Sequence, residues 1–136
     1  MIKLIYGNRG SGKSIRMIDM ANDSVKTCEG DVVYVGFDSS FVLNLNHEIR
    51  YINTEEYKIS TKDMMYGFIC GILAEDYDIK EIYVDNFLKI AHVKQLEEAL
   101  DLFNSVKKLS EKYDFTLYIT ISGEDPIPKE LVEYQI

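Results

Sequence analysis

The segment that most constrains how this chain folds is a glycine-rich stretch directly after the first apolar run. It reads Gly7-Asn8-Arg9-Gly10-Ser11-Gly12-Lys13-Ser14, a full match to G-x-x-x-x-G-K-[ST]. Glycines allow positive φ angles and a close approach of the backbone to an anion, so that successive N–H groups can surround a phosphate at a helix N-terminus. A chance match arises in about 0.5% of chains of this length at average composition. The stretch therefore predicts a phosphate-binding loop between a strand and a helix.

The phosphate loop also indicates which side chains would touch a bound nucleotide. Lys13 would reach the β- and γ-phosphate oxygens, and the Ser14 hydroxyl would ligate Mg²⁺. We therefore expect ATP and Mg²⁺ as cofactors and Lys13 as a candidate catalytic residue. The candidate nucleotide-binding residues are Gly7, Asn8, Arg9, Gly10, Ser11, Gly12, Lys13, Ser14 and Ile15.

Five short runs rich in Ile, Val, Tyr and Phe alternate with segments of helical spacing. The predicted strands cover residues 2–6, 32–37, 48–53, 81–85 and 115–122. The run 32–37 is continuously apolar, as expected of a strand that is covered on both faces. Strands that alternate with helices indicate βαβ units. The sequence therefore predicts an α/β fold with three layers, αβα, around a mainly parallel sheet of about five strands.

Three amphipathic patterns predict the helices between these strands. Apolar residues recur at helical spacing over residues 15–28, and again over residues 65–73 after a predicted N-cap at Ser60. A third pattern predicts a long helix from about Lys94 to Tyr113.

The organisation of the chain predicts one domain over residues 1–136. No internal repeat or linker interrupts it, and 46% of the residues are hydrophobic. No apolar run reaches the roughly 18–20 residues of a membrane span, and no basic segment precedes an apolar one at the N-terminus. We therefore expect a soluble, cytoplasmic protein with no membrane partner.

Charge and cysteine content disfavour several classes of protein. The net charge is −8, from 15 basic and 23 acidic residues, which disfavours non-specific nucleic-acid binding. No arginine follows Arg50, whereas small nucleotide or metabolite kinases usually close an arginine-bearing lid over the phosphates. Cys28 and Cys70, with only two histidines, give no metal-ligand spacing and are expected to be reduced thiols.

Two carboxylates follow predicted strands. Ligands of open α/β sheets bind beyond the carboxyl ends of the strands, where Asp38 and Asp85 are expected. Asp85 is the candidate second metal residue beside Ser14, as a ligand of Mg²⁺ directly or through water. Asp38 is a candidate catalytic residue that would orient and deprotonate the attacking water, or else the first residue of an Asx turn.

Together, residues 7–14, 33–40 and 82–88 resemble the RecA-like ATPase core, the group of recombinases, DnaB-type replicative helicases and KaiC-type ATPases. Asp38 stands 25 residues after Lys13, about where that family has its catalytic Glu, and Ser122 stands at the family's sensor position. The resemblance implies a sheet order 3-2-4-5-1 with the third strand at the edge. The family's later strands and nucleic-acid-binding loops have no counterpart, which implies a minimal core that works with a protein partner or as a homo-oligomer.

These observations lead to one main functional expectation and two alternatives. We expect an Mg-ATP-binding protein that hydrolyses ATP to ADP and phosphate slowly or when a partner stimulates it. A nucleotide-dependent binding module without hydrolysis and a small nucleotide or metabolite kinase remain open. GTP is disfavoured because the sequence has no N-K-x-D base-reading motif.

Overall fold

Strands and helices alternate along the chain in a computed structural model that describes residues 1–136. The strands are β1 (Ile2–Gly7), β2 (Asp31–Gly36), β3 (Arg50–Asn53), β4 (Ile79–Val84) and β5 (Thr116–Ser122). The helices are α1 (Lys13–Val25), α2 (Lys62–Glu75), α3 (Phe87–Ile90) and α4 (Leu100–Tyr113). Short 3₁₀ turns occupy Val42–Asn44, Thr54–Tyr57, Leu96–Ala99 and Lys129–Tyr134. None of the helices combines the length and the apolar character needed to cross a bilayer.

The sheet has five strands in the order β3-β2-β4-β5-β1, and every neighbouring pair is parallel. This confirms the predicted α/β class and the predicted order 3-2-4-5-1. Because all strands run the same way, their carboxyl ends meet along one side of the sheet, which we call the carboxyl edge. The phosphate loop follows β1 at this edge, and Asp38 and Asp85 follow β2 and β4 there.

Strand β2, between β3 and β4, shows how the layers form. Val33 and Val35 belong to the larger apolar cluster, which includes buried residues of α2 and α4. Val32 and Tyr34 belong to the smaller cluster, which includes buried residues of α1. Both faces of β2 are therefore covered, as its continuous apolar run predicts. The three-layer αβα arrangement is confirmed.

A row of four tyrosines crosses the sheet on the α1 side. Tyr51, Tyr34, Tyr83 and Tyr118 are register partners on β3, β2, β4 and β5. The ring centroids of Tyr51 and Tyr34 lie 6.3 Å apart, those of Tyr34 and Tyr83 lie 6.1 Å apart, and those of Tyr83 and Tyr118 lie 4.4 Å apart. We call this row the tyrosine ladder. Its rings supply apolar surface to a face that α1 covers, while its hydroxyl groups need polar partners.

Some predicted helix boundaries are wrong. Thr61, and not Ser60, caps α2, because its hydroxyl accepts a hydrogen bond from the Met64 N–H at 3.1 Å, three residues into the helix. The predicted long helix from Lys94 begins only at Leu100, since the residues before it form a 3₁₀ turn. The apolar spacing is compatible with both helix types over so few residues.

Candidate functional site

The loop between β1 and α1 has the backbone geometry of an anion site. Gly10 and Gly12 have φ angles of 81° and 85°, in the left-handed region that favours glycine. Gly12 is the N-cap of α1, no side chain caps the helix, and its first turn holds no acidic residue. The first N–H groups of α1 and its positive dipole end are thus left without a side-chain acceptor or a carboxylate. This is the arrangement that a phosphate group satisfies.

The amine of Lys13 folds back over the loop. Its Nζ donates to the Asn8 carbonyl oxygen at 2.7 Å and to the Ser11 hydroxyl at 3.4 Å. Burial lowers the pKa of Lys13, and the nearby Asp85 carboxylate partly offsets this. Neither of the two ion pairs in the structure includes Lys13. Its positive charge therefore lies at the loop without a bonded anionic partner.

The Asp85 carboxylate is fixed by two buried hydroxyl groups. Tyr34 on β2 donates to Oδ2 at 3.2 Å, and Thr120 on β5 donates to Oδ1 at 2.8 Å. Thr120 in turn accepts a hydrogen bond from the Asn86 N–H at 2.7 Å. Tyr34 and Thr120 are only 3% and 1% exposed. The neighbouring strands therefore orient the carboxylate from both sides.

The environment of Tyr34 keeps its hydroxyl protonated. Burial is the main cause that raises the pKa of Tyr34, and the Asp85 carboxylate adds to it. A protonated hydroxyl can donate to a carboxylate, whereas a phenolate would repel it. Tyr34 is thus a stable donor to Asp85.

Two adjoining cavities bring the candidate residues together at the carboxyl edge. The larger, of about 290 Å³, is lined by residues of the phosphate loop and of the ends of β4 and β5. The smaller, of about 120 Å³, is lined by Ser14, Asp38 and Asp85 among others. The residues that line the larger cavity are Arg9, Gly10, Gly12, Lys13, Ser14, Ile15, Phe41, Asp85, Asn86, Thr120 and Ser122.

Asp38 forms the Asx turn that the sequence left open as an alternative. Its Oδ1 accepts a hydrogen bond from the Ser40 N–H at 2.9 Å. The residue is nevertheless exposed and lines the smaller cavity together with Ser14. The turn thus fixes one carboxylate oxygen of Asp38, while the residue still lines the smaller cavity.

The remaining candidate residues either make hydrogen bonds or are exposed at the larger cavity. Gly7 ends β1, and its carbonyl oxygen accepts from the Gly123 N–H at 3.1 Å. Asn8 and Ser11 accept the hydrogen bonds of Lys13 described above. Arg9 and Ile15 are exposed at the larger cavity, and the side chain of Ile15 is 58% exposed.

Several residues that line these cavities were not predicted from the sequence, among them Tyr34, Phe41 and Thr120. Tyr34 and Phe41 stand among apolar residues, where an aromatic ring is read as core or surface packing. Thr120 interrupts the apolar run of β5, and this single polar residue was the one available signal. Each becomes recognisable only when the strand ends are placed side by side.

The residues present fit a magnesium ion that is held jointly with phosphates. The structure has no cluster of three or more His, Cys, Asp and Glu side chains arranged to hold a metal ion. Mg²⁺ prefers oxygen ligands and is usually bound by one or two protein groups together with substrate phosphates and water. The Ser14 hydroxyl and the oriented Asp85 carboxylate, which line the same two cavities, provide such a pair.

Comparison with known proteins supports the fold and gives no family by sequence. No protein-family model and no curated protein matches the chain. Among solved structures, the chain is similar to the flagellar accessory protein FlaH from Methanocaldococcus jannaschii, with a TM-score of 0.66 at 14% sequence identity. The match covers 97% of this chain and 65% of FlaH, so the chain spans less than two thirds of its neighbour's length. This likeness supports a RecA-like fold.

Proposed function

We propose that this chain binds Mg-ATP at the phosphate loop and hydrolyses it slowly to ADP and phosphate, alone or when a partner stimulates it. The observation that carries the proposal is the uncapped N-terminus of α1, preceded by left-handed glycines, which opens into the cavity lined by Lys13, Ser14 and Asp85. This combination supplies N–H donors, a cation and metal ligands to one triphosphate.

Binding would use groups that the free protein already holds in place. Backbone N–H groups of the loop and of the first turn of α1 would surround the β-phosphate. The Lys13 amine would exchange its contacts with Asn8 and Ser11 for phosphate oxygens, a small movement because both partners lie in the loop. Ser14 and Asp85 would hold Mg²⁺, which neutralises charge on the β- and γ-phosphates.

Hydrolysis would depend on Asp38. A water molecule attacks the γ-phosphorus, the bond from phosphorus to the ADP oxygen breaks, and the water proton must pass to a base. Asp38 is the candidate base because it lines the cavity that Ser14 and Asp85 also line. Its Oδ1 is engaged by the Ser40 N–H, so Oδ2 would accept the proton.

One observation favours a second candidate, a nucleotide-dependent binding module that hardly hydrolyses ATP. The Asx turn holds the Asp38 carboxylate on its own loop, and aspartate is one methylene shorter than the glutamate of the RecA-like family it resembles. Both features limit how far the carboxylate extends toward a γ-phosphate. In this case ATP binding would occur without turnover.

Two measurements on the purified protein test the proposal. ATP with Mg²⁺ at about 100 times its dissociation constant should stabilise the fold by about 2.7 kcal/mol, which a thermal-shift experiment detects. Steady-state phosphate release then measures turnover. Asp38→Asn should keep the thermal shift and lose phosphate release. A parent protein that shifts but releases no phosphate over hours supports the binding module, and no shift with any nucleotide contradicts both candidates.

A further inference from the structure

A cavity larger than the two at the carboxyl edge lies away from the phosphate loop, between α2 and the edge strand β3. It has a volume of about 560 Å³, and we call it the α2–β3 groove. Its apolar lining comes from both of these elements and from the neighbouring strands. The apolar residues with large side chains that line it are Val32, Val33, Ile52, Tyr57, Phe68, Ile72 and Ile79.

The helix that forms one wall of the groove is unusually apolar for a surface helix. No charged residue occurs from Met64 to Ala74, in a chain with 28% charged residues. Met64 and Tyr66 are 47% and 36% exposed on this helix, and Tyr57 at the groove is 58% exposed. A helix that is hydrophobic on all sides is normally buried. Exposed apolar side chains beside an open groove are characteristic of a binding site for another protein.

The edge strand leaves the other side of the groove open. β3 pairs with β2 alone, so its outer edge has no strand partner. Gly71 of α2 also lines the groove, and no atom lies within 4 Å of where its Cβ would be. The glycine therefore leaves space that a longer side chain would occupy.

One end of the groove is strongly acidic. Asp31 begins β2 and Glu48 precedes β3, while Glu75 and Asp76 end α2, so these four carboxylates lie at the amino ends of the strands. Arg50 is the only basic residue that lines the groove, and neither ion pair of the structure involves any of the five. A hydrogen bond with the Asp76 carboxyl raises the pKa of Asp31, and burial and the neighbouring acidic charges add to this effect. This end would therefore attract a basic group.

The charge distribution decides between the possible occupants. A second copy of this chain would bring another acidic surface, since the chain carries a net charge of −8. We propose that the α2–β3 groove is the docking site for a partner-protein segment whose apolar side chains fill the groove and whose Lys or Arg residues follow at the acidic end. This goes beyond the nucleotide site, because the groove shares no residue with the two cavities at the carboxyl edge.

A labelled peptide tests whether the groove recognises an apolar segment that is followed by basic residues. The probe is a fluorescein-labelled peptide with Leu and Val among Ser and Thr in its first half and Lys and Arg in its second half. The control peptide has the same composition with the basic and apolar residues intermixed. Fluorescence anisotropy should show tighter binding of the probe than of the control, because only the probe places its charges at one end.

Variants of α2 give a matched test of the groove itself. Gly71→Leu fills the groove and should weaken binding of the probe about tenfold, equivalent to about 1.4 kcal/mol. Gly67→Leu introduces the same side chain on the same helix, also with open space around its Cβ but outside the groove lining, and should leave binding unchanged. An unchanged thermal shift with ATP in both variants shows that the fold and the nucleotide site are intact.

Variants of the acidic end test the charge contribution. Glu48→Gln combined with Glu75→Gln should weaken probe binding about fivefold, since exposed charge pairs contribute only modestly to affinity. Glu111→Gln combined with Glu130→Gln makes the same change in net charge at exposed positions elsewhere and should have no such effect.

Three results would overturn the proposal. They are equal binding of the two peptides, equal effects of Gly67→Leu and Gly71→Leu, and equal effects of the two pairs of glutamate variants. A parent dimer in size-exclusion chromatography that Gly71→Leu alone converts to a monomer would assign the groove to a second copy instead. A failure of ATP to shift the melting temperature would count against the proposed function and not against the groove.

Discussion

At the residue scale, the candidate site depends on single polar groups with defined partners. Lys13 is held by acceptors of its own loop, whereas Asp85 is held by hydroxyl groups from two other strands. Lys13 can therefore exchange partners when an anion arrives, while Asp85 keeps its orientation. This difference leads to two separate predictions.

Replacing Lys13 by alanine should abolish ATP binding. The variant removes the amine that would contact the phosphate oxygens, and Arg9 is the only other basic residue that lines the larger cavity. Thermal shift with Mg-ATP is the measurement, and Lys129→Ala, a change at an exposed lysine far from the loop in sequence, is the control. A full ATP shift in Lys13→Ala would refute the assignment of this cavity to the phosphates.

Replacing Tyr34 by phenylalanine should raise the Mg²⁺ concentration that ATP binding requires. The change removes one donor to Asp85, and loss of such an outer partner typically costs about 10–100-fold in metal affinity. The measurement is a Mg²⁺ titration of the ATP-induced thermal shift. Tyr83→Phe is a matched control, because this ladder tyrosine donates to Glu81 and not to Asp85. Equal effects of both variants would mean that Tyr34 acts only through packing.

At the scale of elements, the turn from β1 into α1 decides whether the phosphate loop forms. Two glycines of the loop are left-handed, whereas the glycines of α2 are not. The same chemical substitution should therefore have opposite effects in the two elements. The difference tests the backbone geometry directly, since a Cβ would meet no atom within 4 Å at Gly12 or at Gly67.

Gly12→Ala should destabilise the protein by about 1–2 kcal/mol, the cost of a left-handed residue with a Cβ. Gly67→Ala should instead stabilise it by about 0.5–1 kcal/mol, because glycine in a helix interior loses more backbone entropy than alanine. Urea denaturation of the two variants and the parent measures both changes in the free energy of unfolding. A stabilised Gly12→Ala variant would show that the loop does not have the left-handed conformation.

At the scale of the whole molecule, the tyrosine ladder links four of the five strands. Its tyrosines should make the free energy of unfolding change with pH in the alkaline range. Burial, assisted by Asp38 and Asp85, raises the pKa of Tyr51 to about 12. Burial also raises the pKa values of Tyr34, Tyr83 and Tyr118. Tyrosine in an unfolded chain titrates near 10. The folded state therefore binds these protons more tightly than the unfolded state does.

The free energy of unfolding should fall as the pH rises from about 10 to about 12. A group with a raised pKa in the folded state contributes stability that is fully present below the unfolded pKa and is lost as the pH rises through the folded pKa. Urea denaturation over this range measures the slope. Tyr51→Phe should make the slope shallower, and Tyr77→Phe, at a residue that is 91% exposed, should leave it as in the parent.

Much of the architecture was predictable because it depends on local patterns. The alternation of β-rich runs with helical spacing predicted the α/β class, and the resemblance to the RecA-like core predicted the strand order. The boundaries at Thr61 and Leu100 were not predictable, since neighbouring polar residues compete for the cap and a 3₁₀ turn shares the apolar spacing of a helix. Helix α3, with its four residues, is too short to show a periodic pattern.

The phosphate loop could be predicted from the sequence alone, because its glycines, lysine and serine belong to one contiguous segment. The sequence also placed Asp38 and Asp85 at strand ends, and their roles remain predictions. The surroundings of Asp85 became visible only in the folded chain, since Tyr34 and Thr120 lie 51 and 35 residues away along the sequence. The α2–β3 groove likewise joins residues from separate elements. Periodicity reports which face of an element is buried, but the identity of its neighbour is set by the packing of the whole chain.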